Sequence, residues 1–139
     1  SRFVMFLSDN KLAVTRLISE YEKHQNIIIG VDFDDTINDT FNRGNLGISV
    51  LVGMLRKLQS EFNCTLCVWT ANVNEEFVRT TWSDLGLTID YYNESPLKLF
   101  NPAKPYFNIL LDDRAGLDSS FKTLTELFIY LLKKKVSCS

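Results

Sequence analysis

The sequence is short of the residues on which much metal and nucleophile chemistry depends. Its one histidine, His24, lies among Glu22, Lys23 and Gln25, where a helical stripe ends. That is a solvated helix terminus rather than a ligand or a base. Three cysteines are too few for a disulfide framework, and Cys64-Thr65-Leu66-Cys67 has no second pair with which to build a zinc site. Three apart on a strand, the two thiols face opposite sides and read as small buried hydrophobes, which points to a reducing, cytoplasmic setting. The three prolines, Pro96, Pro102 and Pro105, all fall in one segment, which is therefore an irregular loop. No apolar run approaches a bilayer span, and residues 3–7 are too few for a secretory core, so no membrane partner is expected. A net charge of −2 provides no field to gather nucleic acid. The only basic run, Lys133-Lys134-Lys135, suits the last turn of a helix.

What the sequence does have is a set of apolar runs that end in acids or hydroxyls. Residues 27–31, all apolar apart from Gly30, read as a fully buried strand. The strand leads into Asp32-Phe33-Asp34-Asp35-Thr36, and residues two apart point the same way, so Asp32 and Asp34 converge where it stops. Residues 64–69 form a second strand ending at Thr70, and 107–111 a third ending at Asp112-Asp113. Helices fill the spaces between. Residues 12–24 follow Ser8-Asp9-Asn10 as a cap, and Ile48 to Phe62 repeat at three and four. Asn72 and Glu75 cap a helix that Gly86 ends, and Asp118-Ser119-Ser120 cap a last helix carrying Phe121, Leu124, Leu127 and Leu131 inward. Residues 3–7 and 89–92 are candidates for short added strands, and residues 37–47 have turn chemistry.

Strands alternating with helices predict an α/β fold, a Rossmann-like three-layer sandwich with a mainly parallel sheet. The chain reads as one domain over 1–139, with 1–26 an N-terminal extension and 27–135 the catalytic core. In such sheets ligands bind beyond the carboxyl ends of the strands, where Asp32, Asp34, Thr70, Asp112 and Asp113 all fall.

Clustered carboxylates without histidine or cysteine are hard oxygen donors that suit Mg²⁺, which keeps coordination positions for water and phosphate. A carboxylate can also attack phosphorus. Asp32, fixed at the strand end, is the candidate nucleophile. Asp34 is the candidate acid for the leaving oxygen and then the base for water, a role worth about 10²–10⁴-fold. The Thr70 hydroxyl and the Lys104 ammonium would hold phosphoryl oxygens.

The ordered set Asp32-Phe33-Asp34-Asp35-Thr36, Thr70, Lys104 and Asp112-Asp113 resembles the four motifs of the haloacid dehalogenase-like phosphatases. The resemblance runs from about residue 27 to 132. It implies a Mg²⁺-dependent phosphomonoesterase, a hydrolase working through an aspartyl-phosphate on Asp32 with Asp34 as general acid/base. It also implies phosphate held by Thr70, Ala71 and Lys104, and metal held by Asp32, the Asp34 backbone carbonyl and the pair Asp112/Asp113. Asp35 stands where glycine is frequent in that family; aspartate tolerates the turn, and its charge is expected to face water. Lys98 competes for the motif lysine, but Lys104-Pro105, eight residues before Asp112, fits better. Arg43 and Arg114 read as surface arginines. The stretches Thr36 to Leu66 and Thr70 to Lys104 leave no room for a cap domain, so an open site is expected. Its phosphorylated substrate is small or macromolecular, a nucleotide or a nucleic-acid terminal phosphate among the options. Two other readings compete: a phospho-accepting module resembling response-regulator receivers, and a non-catalytic metal-binding domain.

Overall fold

Four strands line up in the order β3-β2-β1-β4, every neighbouring pair parallel, in a computed structural model that describes residues 10–39, 44, 47–94, 96 and 106–138. In chain order the elements are α1 (Lys11–His24), β1 (Ile28–Val31), α2 (Gly47–Glu61), β2 (Thr65–Val68), α3 (Glu75–Asp84), β3 (Tyr91–Tyr92), β4 (Ile109–Leu111) and α4 (Leu117–Ser137). The expected α/β architecture is present: a parallel sheet flanked by helices, consistent with a Rossmann-like sandwich. None of the described helices is long and apolar enough to cross a membrane. The expected strand at 3–7 lies outside the described residues. So do 40–43, 45–46 and 97–105, on which much of the expected absence of a cap rests.

Register explains the core. Ile29 lies beside Leu66 and Ile109, and Val31 beside Val68 and Leu111, so these six side chains share one side of the sheet. They join a single buried cluster with Leu51, Leu55 and Leu58 of α2, Val78 and Trp82 of α3, and Leu124, Leu127 and Leu131 of α4. Helix α1 belongs to that core too, through Leu17 and Tyr21. The Tyr21 hydroxyl donates to the Phe62 carbonyl at 3.0 Å. Buried Asn108 ties α1 to the sheet: its Oδ1 accepts from the Ile28 N–H at 2.6 Å and its Nδ2 donates to Glu20 at 2.8 Å.

Three helix starts differ from expectation. The Asn10 side chain does not cap α1; it donates to the Thr123 hydroxyl on α4 at 3.3 Å. Asn74, not Asn72, caps α3, accepting from the Phe77 N–H at 3.1 Å. Helix α4 begins at Leu117 after Gly116, whose φ of 72° only glycine adopts easily, and Asp118 lies in its first turn, where the helix dipole favours an anion. The basic run at the end of α4 does more than meet a dipole. Lys134 pairs with Glu22 of α1 at 2.8 Å and Lys135 with Glu61 of α2 at 3.2 Å. Both cysteines of the close pair are buried and unbridged as expected, and burial pushes each thiol up to about 12.

Gly30 sits in mid-strand for want of space. A Cβ there would lie 2.7 Å from the Phe107 ring, which in turn packs edge-on against Trp69 with centroids 5.9 Å apart. Gly30→Ala should therefore destabilise the fold by about 1–3 kcal/mol, the usual scale of overpacking. Urea unfolding checks this: the midpoint should fall at unchanged slope, and adding Phe107→Leu should restore part of the loss.

Candidate active site

The carboxyl end of the sheet is where the acids meet. Val31 is level with Val68 and Leu111, so the next residues of the three strands, Asp32, Trp69 and Asp112, emerge together. One further rung each way fixes them: the Asp32 N–H donates to the Leu111 carbonyl at 2.8 Å, and the Trp69 N–H to the Val31 carbonyl at 2.9 Å.

Past Asp32 the chain folds into a tight turn. The Phe33 carbonyl accepts from the N–H groups of Thr36, Ile37 and Asn38, and the Asp35 N–H donates to the Asn38 carbonyl at 2.7 Å. Phe33 is fully buried in the core and stacks edge-on with Phe77, which anchors the turn while Asp32 and Asp34 on either side face a cleft. Asp35 takes a left-handed φ of 59°, as the tolerance of aspartate for that region allows. Contrary to expectation it does not face water; it is buried and lines the cleft, because the turn folds it inward.

The cleft encloses about 590 Å³ and is lined by Asp32, Asp34, Thr70, Ala71, Asp112 and Asp113, the sequence candidates, together with Asp35, Trp69, Asn93 and Arg114. Asp32, Asp112 and Asp113 offer carboxylate oxygens that all lie within 4.8 Å of one another. Burial pushes the Asp32 carboxyl up to about 7, with the charge of Asp112 and a hydrogen bond and charge from Asp113 adding to it. A divalent cation at that point would offset the same repulsion. Ligands at about 2.0–2.1 Å around one ion lie roughly 3–4 Å apart, so a small rearrangement would bring three oxygens onto it. The donors are oxygen only, which fits Mg²⁺ better than zinc.

Several residues given no role in the site from the sequence hold this arrangement. The buried Thr36 hydroxyl accepts from the Asp113 N–H at 3.2 Å, joining the β1 turn to the β4 turn. Asn72 donates from Nδ2 to the Asp34 carboxylate at 3.2 Å, while its N–H donates to the Thr70 hydroxyl at 3.0 Å. That hydroxyl oxygen is thus held as an acceptor. Asn93 brackets the Thr70 backbone: its Oδ1 accepts from the Thr70 N–H at 2.8 Å and its Nδ2 donates to the Thr70 carbonyl at 2.9 Å. For Asn72, which reads in sequence as a helix cap, and for Asn93, the only signal was an asparagine beside a strand end, ordinary turn chemistry. Lys104, with Lys98 and Arg43, lies outside the described residues. Arg114 is exposed as expected and also borders the cleft.

Comparison of the chain with family models, with curated proteins and with solved structures finds no match in any of the three.

The Asp32 environment makes stability depend on pH. The folded protein keeps the Asp32 proton up to about pH 7, whereas an unfolded chain releases it near 3.9. Between those values the folded state holds more protons, so this group's contribution is full below about pH 4 and is lost as pH rises through 7. In metal-free buffer, the stability of Asp32→Asn relative to wild type should therefore rise from pH 4 to pH 8. Urea midpoints for the two proteins across that range test it, and a constant difference would contradict the environment described.

Proposed function

We propose that the protein is a Mg²⁺-dependent phosphomonoesterase of the haloacid dehalogenase-like kind. The observation that carries this reading is the meeting of three strand ends: Asp32 and Asp34, Thr70, and Asp112/Asp113 border one cleft, with three of the carboxylates close enough to share a cation. Asp32, Asp112 and Asp113 would hold the ion, with the Asp34 backbone carbonyl as a further donor. When bound, Mg²⁺ would neutralise charge on the phosphoryl oxygens and make phosphorus more electrophilic.

The chain's own residues supply the rest. An Asp32 carboxylate oxygen bonds to phosphorus as the ester oxygen–phosphorus bond breaks, and the departing alkoxide takes a proton from Asp34. Water then attacks the aspartyl-phosphate, giving its proton to Asp34, and the phosphorus–Asp32 bond breaks to release phosphate. Thr70 donates its hydroxyl proton to a phosphoryl oxygen, and Lys104 is assigned to the same charge by the family resemblance. Asn72 keeps Thr70 and Asp34 in step, since it touches both.

Hydrolysis of p-nitrophenyl phosphate is the direct test. Turnover should require Mg²⁺ and stop with EDTA. Asp32→Asn should reduce it to background, and Asp34→Asn should lower it about 10²–10⁴-fold. Sustained turnover by Asp32→Asn would refute the nucleophile. Wild type that takes up one phosphoryl group per chain and then stops would favour the receiver-like reading instead.

A further inference from the structure

Trp69 stands out in the cleft. Among the described residues that line it, Trp69 is the one aromatic, set among five carboxylates and a guanidinium. It is 36% exposed, whereas the other tryptophan, Trp82, is fully buried. Exposed apolar area of that size inside a polar cleft gains nothing from the fold and gains much from a planar ligand. The ring is also held in advance. Its backbone N–H completes the ladder to β1, and its side chain packs edge-on against Phe107, which itself fills the space over Gly30. A platform fixed in this way orders little further on binding, so stacking would be retained as affinity.

We infer that the substrate is a nucleoside monophosphate whose base stacks on Trp69 while its phosphate lies between Asp32 and Thr70. This rests on the phosphomonoesterase reading and names its substrate class. Trp69 directly precedes Thr70 in the chain, so platform and phosphate holder are adjacent. The cleft's 590 Å³ falls in the range that accepts a whole small ligand and exceeds what a phosphoryl group alone would fill. That leaves room for a sugar between ring and phosphorus, which a phosphotyrosine side chain lacks. Among the described residues, Asn93 is not free to read a base edge: both ends of its amide are taken by the Thr70 backbone. Stacking accepts any base through its π-face, so the site discriminates ring from no ring far more than base from base.

Fluorescence, with isothermal titration calorimetry for affinities in the variants that lack Trp69, gives a readout that needs no turnover. With Mg²⁺ present, Asp32→Asn is titrated with adenosine monophosphate, ribose 5-phosphate, inorganic phosphate and a phosphotyrosine peptide. Adenosine monophosphate should quench emission saturably and bind at least about tenfold more tightly than ribose 5-phosphate, the lower part of the range for one stacked base. Adding Trp69→Leu should remove both the quench and the preference, leaving ribose 5-phosphate binding unchanged. Trp69→Phe, which keeps a ring against Phe107, should retain most of the preference. Emission from buried Trp82 reports whether each variant is folded. Equal affinity for the two phosphates, no quench by any ligand, or an unchanged preference in Trp69→Leu overturns the inference. Tighter binding of the phosphotyrosine peptide overturns it in favour of a phosphoprotein substrate. If adenosine monophosphate quenches but wild type hydrolyses no ester, the stacking site stands and the phosphatase reading falls.

Discussion

Three carboxylates held within 4.8 Å of one another are the constraint from which the rest of this structure can be understood. Burial, with like charges so close beside it, disfavours ionisation, and Asp32 shows both by keeping its proton to about pH 7. The chain cannot relax the repulsion by moving apart. Asp32 is bonded through its N–H to Leu111, the residue before Asp112, and the Thr36 hydroxyl holds Asp113 to the β1 turn. A parallel register fixed by buried Val31, Val68 and Leu111 thus forces acids together that would separate on a free surface. Strain of this kind, set by a stable core and concentrated at one sheet edge, is the arrangement expected where a cation and an anionic ligand complete the charge balance.

The same core explains why the acidic turn can be so tight. Phe33, between Asp32 and Asp34, points into the interior, and its carbonyl collects three N–H groups of the turn. Residues 32–37 therefore divide the labour: Phe33 and Ile37 secure the backbone, while Asp32, Asp34 and Asp35 border the cleft. Helix α1, outside the span of the family resemblance, adds to that security through Leu17, Tyr21 and the Glu20–Asn108 bond.

Much of this was legible in the sequence because it rests on short-range patterns. Apolar β-branched runs gave β1, β2 and β4 to within a residue or two, and three-four periodicity gave α2 and α4. The convergence of Asp32, Asp34, Thr70, Asp112 and Asp113 followed from one topological rule about strand ends. What was not legible depends on contacts between distant segments. Asn10 could not be seen to leave its helix for Thr123, nor Asn74 to displace Asn72 as a cap while Asn72 turned to Asp34. Asp35 was expected in water because its burial follows from how the turn closes, not from its neighbours in sequence. Short polar side chains beside a strand end have several partners within reach, and only the assembled sheet selects among them.

Asn72 and Asn93 show what that selection achieves. Asn93, from beyond β3, spends its side-chain amide on the Thr70 backbone, and Asn72, from within the same loop, reaches the Thr70 hydroxyl with its backbone N–H. A threonine at a strand end would otherwise rotate freely, its hydroxyl partner undecided. With its backbone bracketed by Asn93 and its hydroxyl oxygen donated to by the Asn72 N–H, it is already held in place, the oxygen as an acceptor. Asn72 extends the same control to Asp34 through Nδ2, so the group that would donate to phosphate and the group that would move a proton share one neutral support. A neutral amide suits that place better than a lysine or arginine, because it holds Asp34 without cancelling the negative field that would draw a cation to Asp32, Asp112 and Asp113.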